Sequence, residues 1–226
     1  MSARDLIIGS IRRSLGVSGK EATRRKSVGD RLAQHPVGIV PARGQLAAQE
    51  RVALFRTMVE AANGSVDEIA DAADVPSAIA ALLRAHNLPM AVRRGADPRL
   101  AALPWERERT LEVSVGPSDG EDLVAVSHAF GGVAESGTLM LVSGPDNPTT
   151  LNFLPDTHVV VIDAKDVAGD YESLWRRLRE KFGEGLMPRV VNLITGPSRS
   201  ADIEQTLILG AHGPRRLHVL VVGEAG

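Results

Sequence analysis

The chain has 226 residues, of which 43% are apolar and 24% charged. That is enough to bury the core of one α/β domain carrying a small N-terminal appendage. Aromatic residues make up only 3%, and cysteine is absent. The core must therefore rest on Val, Leu, Ile and Ala, and disulfides, thiolate zinc sites, a cysteine nucleophile and cysteine-ligated iron–sulfur clusters are excluded within these residues. The net charge of −2 steers no partner strongly.

Residues 4–15 place Leu6, Ile7, Ile11 and Leu15 at helical spacing, with Ser2 and Asp5 as a capping pair and Gly16 as a stop. The apolar stretch at 6–8 is too short for a signal-peptide core, and no run of about 18 apolar residues follows it. A cytoplasmic chain without membrane contact is expected. Residues 16–44 lack apolar periodicity and are rich in Gly, Ser, Lys, Arg and Pro. They read as an extended connector, so 1–44 is expected to be a helix plus basic connector and 45–226 the α/β domain. A helical pattern returns over 45–62, where Leu46, Val52, Phe55 and Val59 share a face and Asn63-Gly64 ends it. The stretch 65–73 is ambiguous. A helix is expected over 75–87, with Pro76 in its first turn, then a strand at 90–93 and a short helix at 97–103.

The second half alternates more cleanly. Strands are expected at 111–115, 123–128, 138–142, 158–163 (HVVVID), 190–194 (VVNLI) and 217–222 (LHVLVV), with a helix at 171–182. Continuous apolar runs mark strands covered on both faces. The expected fold class is α/β, a layered mixed sheet with helices on both faces.

No Walker A sequence, strand-linked GxGxxG, HExxH helix or GxSxG elbow is present. The histidines are scattered without ligand spacing, so neither a metal nor a cofactor is expected. The basic segment 12–31 (Arg12, Arg13, Lys20, Arg24, Arg25, Lys26, Arg31) contains no aromatic residue for base stacking, and the chain is net acidic. Both facts argue against nucleic-acid binding.

Two loops carry the candidate chemistry. The first is 131–138. Gly131, Gly132 and Gly137 let backbone amides approach a ligand. Ser136 and Thr138 add hydroxyls, and Glu135 is a possible general base. A tight connection with a solvated Glu135 is the alternative. The second is 195–204, where a buried strand runs into Thr195, Gly196, Ser198, Arg199 and Ser200. A helix beginning near Ser200 would turn free amides toward an anion, and Arg199 adds a planar two-point contact. Asp202 is a further acid/base candidate. The alternative has Ser200 as an ordinary N-cap. His212, flanked by small residues before Gly213-Pro214, serves either as an acid/base group or as a bond to its own turn.

The runs GGVAESGTLMLVSG, NFLPDTHVVVI and LITGPSRSADIEQTLILGAHGPRRLHVLVV, at these separations, resemble the C component of bacterial lactate-utilisation systems, the LUD domain family. The resemblance covers about residues 123–222. It implies a fold similar to the ribose-5-phosphate isomerase, glucosamine-phosphate deaminase and CoA-transferase group. It also implies a role in oxidising L-lactate to pyruvate beside two partner proteins that carry the iron–sulfur cysteines. The expectation is a non-redox subunit that binds a small anionic metabolite or its partner subunits. The alternative is a stand-alone isomerase-like or acyl-transfer enzyme acting on a phosphorylated or CoA-linked molecule. In that case Glu135, Asp202 and His212 would be its proton carriers or nucleophile.

Overall fold

The computed structural model describes residues 2–183, 185–200 and 208–224, with the backbone alone at 200, 208 and 209. The chain divides into two units, residues 1–39 and 40–226.

In the first unit, α1 (Ala3–Leu15) begins with a reciprocal capping box between Ser2 and Asp5 and ends on Gly16 at φ 62°. Both features match the sequence expectation. The extended connector does not: α2 (Ala22–Gln34) occupies its centre. Its Arg, Lys, Leu and Ala residues are good helix formers, and Lys26 pairs with Asp30 one turn on at 2.7 Å. Neither helix buries a residue. A helix solvated all round has no apolar stripe to betray it.

The second unit opens with α3 (Ala48–Ala61), β1 (Ser65–Ile69), α4 (Val75–Ala85), β2 (Ala91–Arg94), α5 (Pro98–Ala101) and β3 (Glu112–Val115). It continues through β4 (Val124–His128), β5 (Gly131–Val133), β6 (Thr138–Val142), β7 (Thr157–Asp163), β8 (Val167–Ala168) and α6 (Tyr171–Phe182). The last strands are β9 (Val191–Ile194), β10 (Arg199–Ser200), β11 (Ile208–Leu209) and β12 (Arg216–Val222).

Sequence reasoning anticipated one mixed sheet; among the described residues there are two principal sheets. The main one is six-stranded and parallel throughout, in the order β1-β12-β7-β4-β2-β3. The second runs β8-β5-β6-β9 and is mixed, with β6 antiparallel to both neighbours. The short pair β10-β11 stands apart. The ambiguous stretch at 65–73 supplies β1, an edge of the main sheet.

Side-chain alternation along β7 shows how the layers close. Val159 and Val161 enter a core with Val75, Ile79 and Leu83 of α4 and Leu100 of α5. Val160 and Ile162 point the other way, into a core with Phe55 and Val59 of α3 and Leu139 and Leu141 of β6. The outer face of the second sheet packs Val133 and Met140 against Leu174 and Leu178 of α6. The apolar strand runs implied two covered faces with helices on each; helices alone cover one, and α3 together with the second sheet covers the other.

Gly131 and Gly132 lie in β5, within this packing, and not in an open loop. A Cβ on Gly131 would stand 2.6 Å from Leu174 Cδ2, and one on Gly132 2.9 Å from Ile162 Cδ1 and 3.0 Å from Phe55 Cε2. Their missing side chains admit neighbouring hydrocarbon. Gly137, at φ 66°, presses on the backbone of α3, where a Cβ would fall 2.5 Å from the Val59 nitrogen. Gly137→Ala combines left-handed strain with a backbone clash, so it is expected to lower stability by about 2 kcal/mol or more. The midpoint of urea unfolding against the parent chain measures this.

Candidate functional site

A cleft of about 290 Å³ opens where the ends of β9 and β10 meet the segments before β7 and β12. Thr195, Gly196, Ser198, Arg199 and His212 all border it, so five of the residues singled out in the sequence share one hollow. The loop is held by backbone pairing across the cleft. Ser198 N–H donates to the Pro214 carbonyl at 2.8 Å, and Gly210 N–H donates to the Ser198 carbonyl at 3.0 Å. The His212 amide donates to Ser198 Oγ at 3.3 Å. The imidazole of His212 and the guanidinium of Arg199 stand at the exposed rim. Among the described residues, no carboxylate lines the cleft. Among the described lining residues, Arg199 is the one permanent charge and the rest are polar or apolar.

The expected helix start near Ser200 falls largely on residues 201–207, outside the described residues, and Ser200 itself is not helical. Arg199 and Ser200 form β10, whose backbone pairs with Leu209 and Ile208. The amides that a helix terminus would free belong mainly to residues 201–204, which lie outside the described residues. The side chain of Ser200 and the whole of Asp202 lie outside the described residues. Gly196, at φ 72°, approaches the end of α3, where a Cβ would meet the Ala62 carbonyl oxygen at 2.2 Å.

No residue of 131–138 borders the cleft, yet that segment is tied to it. Thr138 Oγ1 lies 2.7 Å from Thr195 Oγ1, 2.6 Å from Tyr171 OH and 2.8 Å from Ser136 Oγ. The Ser136 hydroxyl also donates to Tyr171 OH at 2.9 Å. This seam of alcohols joins the β5–β6 turn, the start of α6 and the cleft edge. Glu135 is buried in the same turn. Its amide donates to the Gly169 carbonyl at 3.3 Å, and its Oε2 has no hydrogen-bond partner.

The cleft has a floor of its own. It includes Asn152, His158 and Leu217, with Phe153 at the opening. His158 is fully buried; its Nε2 lies 2.9 Å from Ser127 Oγ, which in turn donates to Asn152 Oδ1 at 3.3 Å. With the serine proton so committed, Nε2 carries hydrogen and donates, which leaves Nδ1 without a partner. Burial alone holds the His158 pKa down at about 3. The available signal was a polar residue at the head of the apolar run HVVVID. Tyr171 gave none, as it reads simply as the first residue of a helix.

The LUD domain family model matches residues 52–222. The chain belongs to the LUD domain family. Relatives of this LUD chain include a Neisseria meningitidis protein of uncharacterised function, 36% identical over 63% of the chain and 54% of that protein. Lactate utilization protein C of Geobacillus sp. strain WCH70 is 40% identical over 40% of the chain and 38% of its own length. The protein of the same name in Geobacillus thermodenitrificans is 36% identical over 56% and 60%. The LUD chain thus spans roughly half the length of these curated relatives. A solved DUF162 family protein from Deinococcus radiodurans superposes with a TM-score of 0.55 at 22% identity, covering 79% of this chain and 99% of that one. This establishes a shared fold.

Two predictions follow from the LUD geometry. Thr138→Val keeps the shape but strips three neighbouring hydroxyls of a partner, so stability should fall by about 1–2 kcal/mol in urea unfolding at neutral pH. His158 titrates near 3 when folded and near 6.5 when unfolded. Between those values the unfolded chain binds the extra proton, so stability falls as pH drops through the window, by up to about 1.4 kcal/mol per pH unit. His158→Gln should remove that share of the slope. Burial also lowers His128 and His218, which leaves a residual slope. Unfolding free energies measured at successive pH values between neutrality and pH 4 test this.

Proposed function

We propose that this LUD chain serves in lactate utilisation as a component that binds a small anionic metabolite at the 195–199 cleft. The observation that carries the reading is a pocket with Arg199 and His212 at its mouth and no lining carboxylate among the described residues. A guanidinium offers two parallel donors to a carboxylate. The volume lies at the small end of ligand pockets, which suits a compact acid. The name Lactate utilization protein C on several relatives supplies the metabolic context.

The reading has four further parts. Residues 45–226 act as the ligand-binding domain, with a layered plan of the ribose-5-phosphate isomerase and CoA-transferase kind. The chain itself is non-redox, since it has no cysteine to hold a cluster. Oxidation of L-lactate to pyruvate removes two electrons and two protons, and iron–sulfur partner subunits would accept the electrons. The site of action is cytoplasmic; no described helix is long and apolar enough to cross a membrane.

Thermal-shift and calorimetric titration with L-lactate, pyruvate, a sugar phosphate and a CoA ester test the reading. A saturable response to the small acids is expected, with affinity reduced about tenfold or more in Arg199→Ala. A response to none of the four, or one indifferent to Arg199, would overturn it.

A further inference from the structure

A second hollow, of about 500 Å³, lies at the opposite ends of the main-sheet strands, where the segment after β2, the end of β4 and the turn after β6 meet. Its place follows from the topology. From the carboxyl end of β2 the chain passes on to β3 on one side; from that of β4 it reaches its next main-sheet neighbour, β7, on the other. Adjacent parallel strands whose connections part in this way leave a crevice between them, and open α/β sheets bind ligands there.

The crevice is furnished with prepared groups. His128, the last residue of β4, is buried, and its Nδ1 lies 3.0 Å from the Ala129 carbonyl oxygen. That oxygen can only accept, so Nδ1 carries hydrogen and Nε2 is the free position. Nε2 has no hydrogen-bond partner among the described residues. The same carbonyl accepts Arg99 Nη1–H at 3.2 Å, which fixes the guanidinium beside the imidazole. Arg99 also donates from Nε and Nη2 to the two oxygens of Asp97, at 3.0 and 2.8 Å, and Asn147 Nδ2 donates to Asp97 Oδ2 at 3.1 Å. One N–H on each terminal nitrogen of Arg99 is left over. Lys181 borders the same crevice, its ammonium 5.5 Å from the centre of the Phe130 ring.

We propose that this crevice is a second ligand site, separate from the 195–199 cleft, and that it takes a small hydroxy acid. The carboxylate lies against the spare donors of Arg99 and the Lys181 ammonium, and the hydroxyl donates to His128 Nε2. Burial and the neighbouring guanidinium keep the imidazole neutral, which preserves the accepting lone pair. Charge selects the ligand class. Asp97 is committed to Arg99, and Asp146 offsets Lys181 in the count of lining residues, so their formal charges cancel, while Asp163 and Asp166 add negative field at Arg99 from beyond the lining. A site in balance accommodates one added negative charge better than the two of a phosphate ester.

Glycolate and acetate differ by the one hydroxyl at issue. In an Arg199→Ala chain, which silences the first cleft, glycolate should bind saturably by calorimetry and about tenfold tighter than acetate. His128→Asn keeps a donor for the Ala129 carbonyl and deletes Nε2. It should erase the preference for glycolate while leaving acetate binding unchanged, an effect that general loosening of the fold would not produce. Lys181→Ala should weaken both acids alike. On the unsubstituted chain, glycolate should shift the His128 Nε2 resonance in imidazole nitrogen–proton correlation spectra and acetate should not, which tests the site should His128→Asn fail to fold. Equal affinity for the two acids, a preference that survives His128→Asn, or an unmoved Nε2 resonance would overturn the proposal. These outcomes are read independently of whether lactate binds at Arg199.

Discussion

A parallel strand buried on both sides is the constraint from which the rest of this structure follows. β7 pairs on each side with a parallel neighbour and sends alternate side chains, Val159 and Val161 one way and Val160 and Ile162 the other, into two different cores. Such a strand cannot turn either face to water. The chain must cover both, and it does so unequally. Helices α4 and α5 cover one face, while α3 and a second sheet cover the other. That second sheet has an outer face of its own, which obliges α6 to cap it. The layers are thus successive answers to one demand for dry surface.

The chemistry collects where the covering stops. His158 sits near the start of β7 and His128 at the end of β4, and both are buried polar groups at the margins of apolar strands. Each has one ring nitrogen engaged by a nearby oxygen and the other without a partner. In the middle of a strand such a nitrogen would lie within packed hydrocarbon at a large energetic penalty. At the strand termini the residue as a whole borders a hollow, although His158 Nδ1 itself stays buried. The two hollows therefore lie toward opposite ends of the same parallel sheet, where side chains escape the packing that dominates its centre.

Much of the layering was legible because burial on two faces leaves a continuous apolar signature. The runs HVVVID and LHVLVV became the buried strands β7 and β12, whereas VVNLI became β9, an edge strand with Leu193 exposed, so its apolar run did not mean burial on both faces. The 45–62 helix emerged at Ala48–Ala61 with Val52, Phe55 and Val59 inward, as their spacing indicated. What was not legible had physical causes. Helix α2 buries nothing and so carries no period. The division of strands between two sheets depends on pairing across long separations, about which local pattern is silent. Gly131 and Gly132 carry the same letters whether they admit a ligand or a leucine, and only the positions of Leu174, Ile162 and Phe55 distinguish the cases. Of the candidate site residues, those at 195–199 and His212 border one hollow. The 131–138 group touches it only through Thr138. His128 and Arg99 gave no signal, because a shared carbonyl and a topological crevice are properties of three-dimensional neighbours.

The alcohol seam at Thr138 has one further consequence. A hydroxyl gives one proton, and with the Ser136 proton committed to Tyr171 the Thr138 proton has two possible acceptors, Ser136 and Thr195. Thr195 is the member that reaches the cleft. When its own proton turns inward toward Thr138, it offers the hollow a lone pair; when Thr138 supplies the proton, Thr195 is free to give its own outward. The rotor of a single buried threonine thereby sets whether the cleft wall gives or receives, and the wall can reverse its polarity without moving a heavy atom.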